Sequence, residues 1–325
     1  MNNSKILNDR WSEIDNKIAK FIPYYHKINK QTRDNIQDIF NSIDFTYEDL
    51  YKPANITYIA KLHRKISILK DKYKLNKYFN YILSDYERSK LKNNEVLFGL
   101  ILIEYIQQLC EMDIEENVLF EEVSKIAYTQ AQKEAGERKP NVLPQALITA
   151  YLGLPSYRSY KWKDYKNGNV IYQVRQLIDV VSIQMQKEKP LNVNSDEIKP
   201  VLDKQMNTYI KKKEIEPSKK YVDKYSGSLD DVICYLVNKI ALEGMKVQGI
   251  EQVVFVAVLD DKTTEMCETL NGQKFMINEL NTYQRYSKID GRIVTYTTQG
   301  LETGANLPPI NNHFHHCRST IYPVK

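Results

Sequence analysis

The sequence predicts an α+β chain, mostly helical over its N-terminal two-thirds and ending in a small β-rich C-terminal unit. Three observations predict it. Apolar residues recur at helical spacing from Ile6 to about Leu109. After Gly249 the period changes to a continuous β-branched and aromatic run, Val253 to Leu259, which reads as a buried strand. Asp290-Gly291, between Tyr286 and the run Arg292 to Thr298, is the sequence of a tight hairpin turn. With 325 residues, 42% of them hydrophobic and 27% charged, the chain has an ordinary globular composition and exceeds the usual size of one domain. A soft boundary near Leu154 divides it into a helical region, 1–154, and a second region, 155–325. The latter is expected to be helical over 157–249 and to form a small sheet over 250–325.

In the first region Leu7, Trp11, Ile14, Ile18 and Phe21, then Ile36, Ile39, Phe40 and Ile43, mark helical faces. Pro53 and the polar stretch Arg88 to Asn94 read as connections. Val96 to Ile103 is the longest uncharged apolar run; ended by Glu104, it is too short to cross a bilayer and reads as buried helix. A further helical run from Ile114 to Glu137 ends at Lys139-Pro140, and Pro144, Gly153 and Pro155 punctuate an irregular connection. Helices are then expected over Val170 to Gln186 and Asp196 to Lys212, followed by a charged link, Lys211 to Lys220. Ser228 with Asp231 fits a capping box, and Val232, Ile233, Leu236, Val237, Ile240 and Ala241 form an apolar stripe behind it, with Gly244 and Gly249 marking the helix end. Ile321 to Val324 would close the sheet as a last strand.

Chemistry concentrates in two places. Tyr157 to Tyr165 alternates basic and aromatic residues, so Lys161, Trp162 and Lys163 are candidates for nucleic-acid contact, although lysines that cover a helix edge need no ligand. Three of the five histidines, His313, His315 and His316, fall within four residues and are followed at once by Cys317, with Cys267 about fifty residues earlier. These are the natural ligands of structural zinc. Three arrangements are open: a zinc site built from Cys267, Cys317 and one or two of His313, His315 and His316, a hydrogen-bonded cluster, or a Cys267–Cys317 disulfide. Each would tether the turn at Asp260 to the final strand and staple a small sheet.

The residues around these cysteines carry a family resemblance. The segment LDDKTTEMCETLNGQKF, with Asp260, Thr263, Cys267, Leu270, Asn271, Gly272 and Phe275, followed by LPPINNHFHHCRSTIYP, with Pro308, Pro309, Cys317, Arg318, Ser319 and Thr320, resembles the phage Mu F-like minor head protein family. Both motifs stand in the family's order, and the likeness runs from roughly Tyr157 to Lys325. This chain carries Thr264 where many members have a second cysteine and Phe314 where members commonly place a histidine. The resemblance implies a structural head protein of a tailed phage, present in few copies, partnered by the portal protein and capsid components, and assisting head assembly and DNA packaging or delivery. Its location would be the virion, after synthesis in the host cytoplasm, in keeping with an N-terminus that lacks a secretory pattern.

An enzyme is not expected. No hydrolase signature surrounds either cysteine, neighbouring strand side chains point apart, and neither the carboxylate pattern of a metal nuclease nor a glycine-rich phosphate loop is present. The formal net charge of +5 fits weak, sequence-independent contact with packaged DNA. The reading from a different class is a zinc-stapled nucleic-acid-binding module acting in the host cytoplasm.

Overall fold

A computed structural model describes residues 3–147, 150, 157–206, 210–215, 220–225, 227–258, 265–287, 290–299 and 319–324; side chains are described for a subset of these. The architecture is α+β, mostly helical, with antiparallel strands gathered towards the C-terminus. Helices are α1 (Asn3–Asn41), α2 (Ile56–Lys72), α3 (Lys77–Ser84), α4 (Asn93–Ala135), α5 (Tyr157–Gln186), α6 (Ile198–Met206), α7 (Gly227–Val247) and α8 (Glu265–Leu270). Strands are β1 (Ile210–Ile215), β2 (Lys220–Tyr225), β3 (Gln252–Val256), β4 (Lys274–Met276), β5 (Leu280–Ser287), β6 (Arg292–Gln299) and β7 (Thr320–Pro323). No described helix is long and apolar enough to cross a membrane.

The chain divides into two compact units, each drawn from separated stretches. One contains 1–21, 117–162 and 225–325; the other contains 22–116 and 163–224. The boundary expected near Leu154 lies outside the described residues.

The second unit is mostly helical and also holds β1 and nearly all of β2. Asn55 caps α2 by accepting from the Thr57 N–H at 2.9 Å, and Asn76 caps α3 by accepting from Phe79 N–H at 2.8 Å, each satisfying an amide that the first helical turn leaves unpaired. Val96, Leu97 and Leu100 to Ile103 are buried, as the uncharged run required. Val170, Val174, Leu177 and Val181 form the buried stripe of α5, at spacings of four, three and four. Some of the buried polar side chains of this unit pair with one another: Gln108 Nε2 donates to Asn29 at 2.7 Å, and Asn35 and Lys65 both donate to Glu104.

The first unit is built around β3, the middle strand of a sheet ordered β4-β3-β7. Both neighbours are antiparallel, with Val253 opposite Phe275 on one side and Phe255 opposite Ile321 on the other. The period of two sends Val253, Phe255 and Ala257 to a face that packs with Ala241, Leu242 and Met245 of α7 and Met266, Cys267 and Leu270 of α8. Val254 and Val256 go to the other face, with Tyr322 and Val324, where Ile6 and Leu7 of α1 cover them. Burial on both faces explains why β3 reads as an unbroken apolar run rather than an alternating one.

The hairpin forms as its sequence predicts. β5 pairs with β6 from Leu280–Gln299 to Ser287–Arg292, and Gly291 takes a φ of 63°, a left-handed value that glycine adopts without strain. Ile321 to Val324 supplies the closing strand. The apolar stripe of α7 is buried at Ile233, Leu236, Val237, Ile240 and Ala241. The capping box at Ser228 and Asp231 involves side chains outside the described residues.

Three expectations differ. The two helical runs Ile6–Leu109 and Ile114–Glu137 do not stay separate, because 93–135 is one helix; Glu111 and Asp113, which interrupt the apolar pattern, lie half-buried along it. The helix expected over Asp196–Lys212 ends at Met206, and the described residues of the charged link Lys211–Lys220, 211–215 and 220, lie in two strands, where isoleucine, valine and tyrosine favour extended backbone. Gly244 lies inside α7 rather than at its end. Its own position is dictated by packing, since a Cβ there would lie 2.8 Å from the backbone oxygen of Tyr128 in α4. The end itself is a Schellman motif at Gly249, with Ile250 N–H donating to Met245 O at 3.2 Å and Gly249 N–H to Lys246 O at 2.9 Å.

Candidate functional site

The two motif segments meet at the C-terminal end of β3. From the first, α8 buries Met266, Cys267 and Leu270 against the sheet, and Asn271 follows as the helix ends. Asn271 Oδ1 accepts the Ala257 N–H at 3.0 Å, taking over the backbone where β3 stops pairing. Gly272 has a φ of 80° and donates its N–H to Phe255 O at 2.9 Å; the left-handed turn reverses the chain into β4. Phe275 then enters the core, with its ring edge-on to Tyr283 at 5.4 Å. Leu270, Asn271, Gly272 and Phe275 thus act as a folding unit: helix end, cap, turn and core anchor.

The second motif reaches the same end of β3 from the other side. Ser319 Oγ accepts from the Val258 N–H at 3.3 Å, and Thr320 pairs in register with Val256. Thr320 Oγ1 donates to Asn238 Oδ1 of α7 at 2.7 Å and accepts from Arg10 of α1 at 3.2 Å. Arg10 is fully buried; its guanidinium is ion-paired with Glu134 of α4 and reaches the carbonyl of Ile321 at 3.5 Å. Asn238 also donates to the Cys234 carbonyl at 2.9 Å. A buried polar chain from Glu134 through Arg10 and Thr320 to Asn238 therefore links α4, α1, β7 and α7. Arg10, Glu134 and Asn238 were not foreseen, since a single arginine or asparagine in a helical pattern reads as solvated surface.

Beside this site the β5–β6 ribbon rests on β4. Gln273 holds the outer edge of β5 by donating Nε2 to Gln284 O at 2.8 Å while accepting the Gln284 N–H at 3.1 Å. Arg285 lies over the Tyr296 ring at 4.4 Å, and its hydrogen bond, then that of Ser287, hold the Tyr296 phenol below its ordinary range.

Asp260, Thr263, Pro308, Pro309, His313, His315, His316, Cys317 and Arg318 lie outside the described residues. Lys161, Trp162 and Lys163 stand on α5, and their side chains are outside the described set as well. Of the five donors proposed for zinc, Cys267 alone is described, buried among apolar neighbours on α8. Among the described residues no group of three or more histidine, cysteine or carboxylate side chains comes together. Cys267 by itself does not make a zinc site. What the described arrangement does is mechanical: two segments about fifty residues apart clamp the end of one strand. No family model, curated protein or solved structure matches this chain.

Proposed function

We propose that the chain is a minor head protein of a tailed bacteriophage, of the Mu F-like kind, placed inside the head or at the portal vertex and assisting head assembly and DNA packaging or delivery. The observation that supports this reading is the use made of the motif positions. Asn271 and Gly272 from one segment and Ser319 and Thr320 from the other fasten the same end of β3, so residues that resemble a family signature serve as the fold's fasteners. A structural protein that works by holding a shape needs such fasteners and no catalytic group. On this reading the partners are the portal protein and capsid components, contact with packaged DNA is sequence-independent, and the motif cysteines and histidines reinforce the same clamp.

The test is quantitative mass spectrometry of purified particles, intact and after DNA release. A few copies per particle is the expected result, and loss with the DNA would identify the chain as ejected. Absence from both particles and procapsids would overturn the proposal and leave the cytoplasmic nucleic-acid-binding module in its place.

A further inference from the structure

The β5–β6 ribbon has one edge that the molecule closes and one that it leaves open. On the outer side of β5, Gln273 bonds both backbone groups of Gln284, donating Nε2 to the carbonyl at 2.8 Å and accepting the N–H at 3.1 Å. Opposite residues in an antiparallel pair alternate between exchanging two hydrogen bonds and exchanging none. Because both groups of Gln284 are turned away from β6, its pair with Thr295 is of the second kind, and so are the pairs Tyr286–Ile293 and Thr282–Thr297. The N–H and C=O groups of Ile293, Thr295 and Thr297 therefore face away from β5, and no described strand meets them.

The other described edges of this unit are guarded against pairing. β4 is three residues long, and β7 is four and ends in Pro323; short strands and proline blunt an edge. β6 has eight residues, neither lysine nor proline, and a register with β5 that no bulge interrupts. Its sequence, RIVTYTTQ, is rich in the β-branched and aromatic residues that favour extended backbone. Its outward face continues that of β5: Leu280, Thr282 and Gln284 stand beside Ile293, Thr295 and Thr297, all six exposed and none charged. The inward face is anchored, with Tyr283 buried and Tyr296 packed against the core.

We propose that the open edge of β6 pairs antiparallel with β6 of a second copy of this chain, joining two ribbons into a four-stranded sheet about a two-fold axis. The strand suits itself as a partner. Arg292 is its one charged residue and lies at the turn end, so an antiparallel two-fold sets the two arginines at opposite ends of the seam. Opposite residues share a face, so the uncharged side of one ribbon runs on into that of the other. Ile293, Thr295 and Thr297 of each copy supply the donors and acceptors that cross the seam. The inference is independent of the head reading, because association in solution is measured without particles.

Sedimentation velocity of the full chain over a concentration series reads the association. A monomer–dimer equilibrium with a dissociation constant of roughly 10–100 µM is expected, since a single strand pair buries less than a standard interface. T295P removes an outward N–H from each copy while sparing every bond to β5, and T295K sets two lysines close across the two-fold. Each should weaken the dimer at least about tenfold, with circular dichroism and melting temperature unchanged. V294P removes an N–H given to β5, because the pair Arg285–Val294 is of the bonded kind, and should instead lower the melting temperature. Where T295P unfolds the chain, T295K decides. A dimer that T295P and T295K leave intact, or a V294P variant that melts like the parent, would overturn the proposal. A parent that stays monomeric up to about 500 µM would overturn it too, and would leave the edge to an extended strand of another protein.

Discussion

Replacing Arg10 by alanine tests the buried polar chain directly. The Arg10 side chain is fully buried and that of Glu134 is 5% exposed, so the pair is shielded from water. Loss of the guanidinium strands the Glu134 carboxylate with the Gln130 amide at 3.3 Å, and removes a donor from Thr320 and from the Ile321 carbonyl. Breaking one side of a buried pair costs about 3–5 kcal/mol, whereas replacing both sides with apolar groups of similar volume is close to neutral. R10A should therefore lose about 3–5 kcal/mol, roughly 10 °C in melting temperature, while R10M/E134L should lose less than about 1 kcal/mol. Calorimetry and guanidinium melts of the full chain measure both. An R10A variant within about 1 kcal/mol of the parent, or a double variant as damaged as the single, would refute the claim that Arg10 and Glu134 form a coupled buried pair.

Four further outcomes are expected. Gly244→Ala gains about 1 kcal/mol of helix propensity but drives a methyl to 2.8 Å from the Tyr128 carbonyl, a backbone atom that cannot swing away; a net loss of about 1–2 kcal/mol in a denaturant melt is expected, and a stabilised variant would contradict the close approach. Asn271→Ala should cost about 1–3 kcal/mol by leaving the Ala257 amide without its acceptor, and Gly272→Ala about 1–3 kcal/mol through its φ of 80°; wild-type melting in both would remove the clamp. Cys317→Ser in the full chain should lower the melting temperature, and no change rejects the staple. Acid should destabilise the helical unit. Burial pushes the Glu111 carboxyl up, and hydrogen bonds from Tyr73, Gln107 and Lys72 more than offset it; at Asp203 burial is likewise outweighed by Lys199 and Arg33. Both folded carboxyls titrate below their unfolded values, so their contribution is fully present above about pH 5 and is lost as pH falls through and below 4. A melting temperature flat from pH 6 down to about pH 3 would contradict this assignment.

Much of the C-terminal unit was legible because its local signals agree with one another. The apolar run of β3, the glycine turn of the hairpin and the stripe of α7 each follow from neighbours a few residues apart. The discontinuous units were not legible, because the pairing of Arg10 with Thr320 spans three hundred and ten residues and leaves no periodic trace. Gly244 and Gly249 look alike in sequence, yet one ends a helix through its φ and the other admits a neighbouring helix through its missing Cβ. The β1–β2 ribbon was hidden by its lysines, which mask the spacing of its isoleucines, valine and tyrosines. In the clamp, Leu270, Asn271, Gly272 and Phe275 were found through the motif, while Asn238 and Arg10 carry no signal that sets them apart from surface residues.

The burial of Ile6 and Arg10 against the last strand has a consequence for timing. During synthesis Ile6 and Arg10 are made long before Val254, Val256, Thr320 and Tyr322, which cover them. At about 5–20 residues per second the interval is roughly 15–60 s. Through that interval the apolar side of α1 must be shielded by other means, and the first unit can close only once β7 has been made.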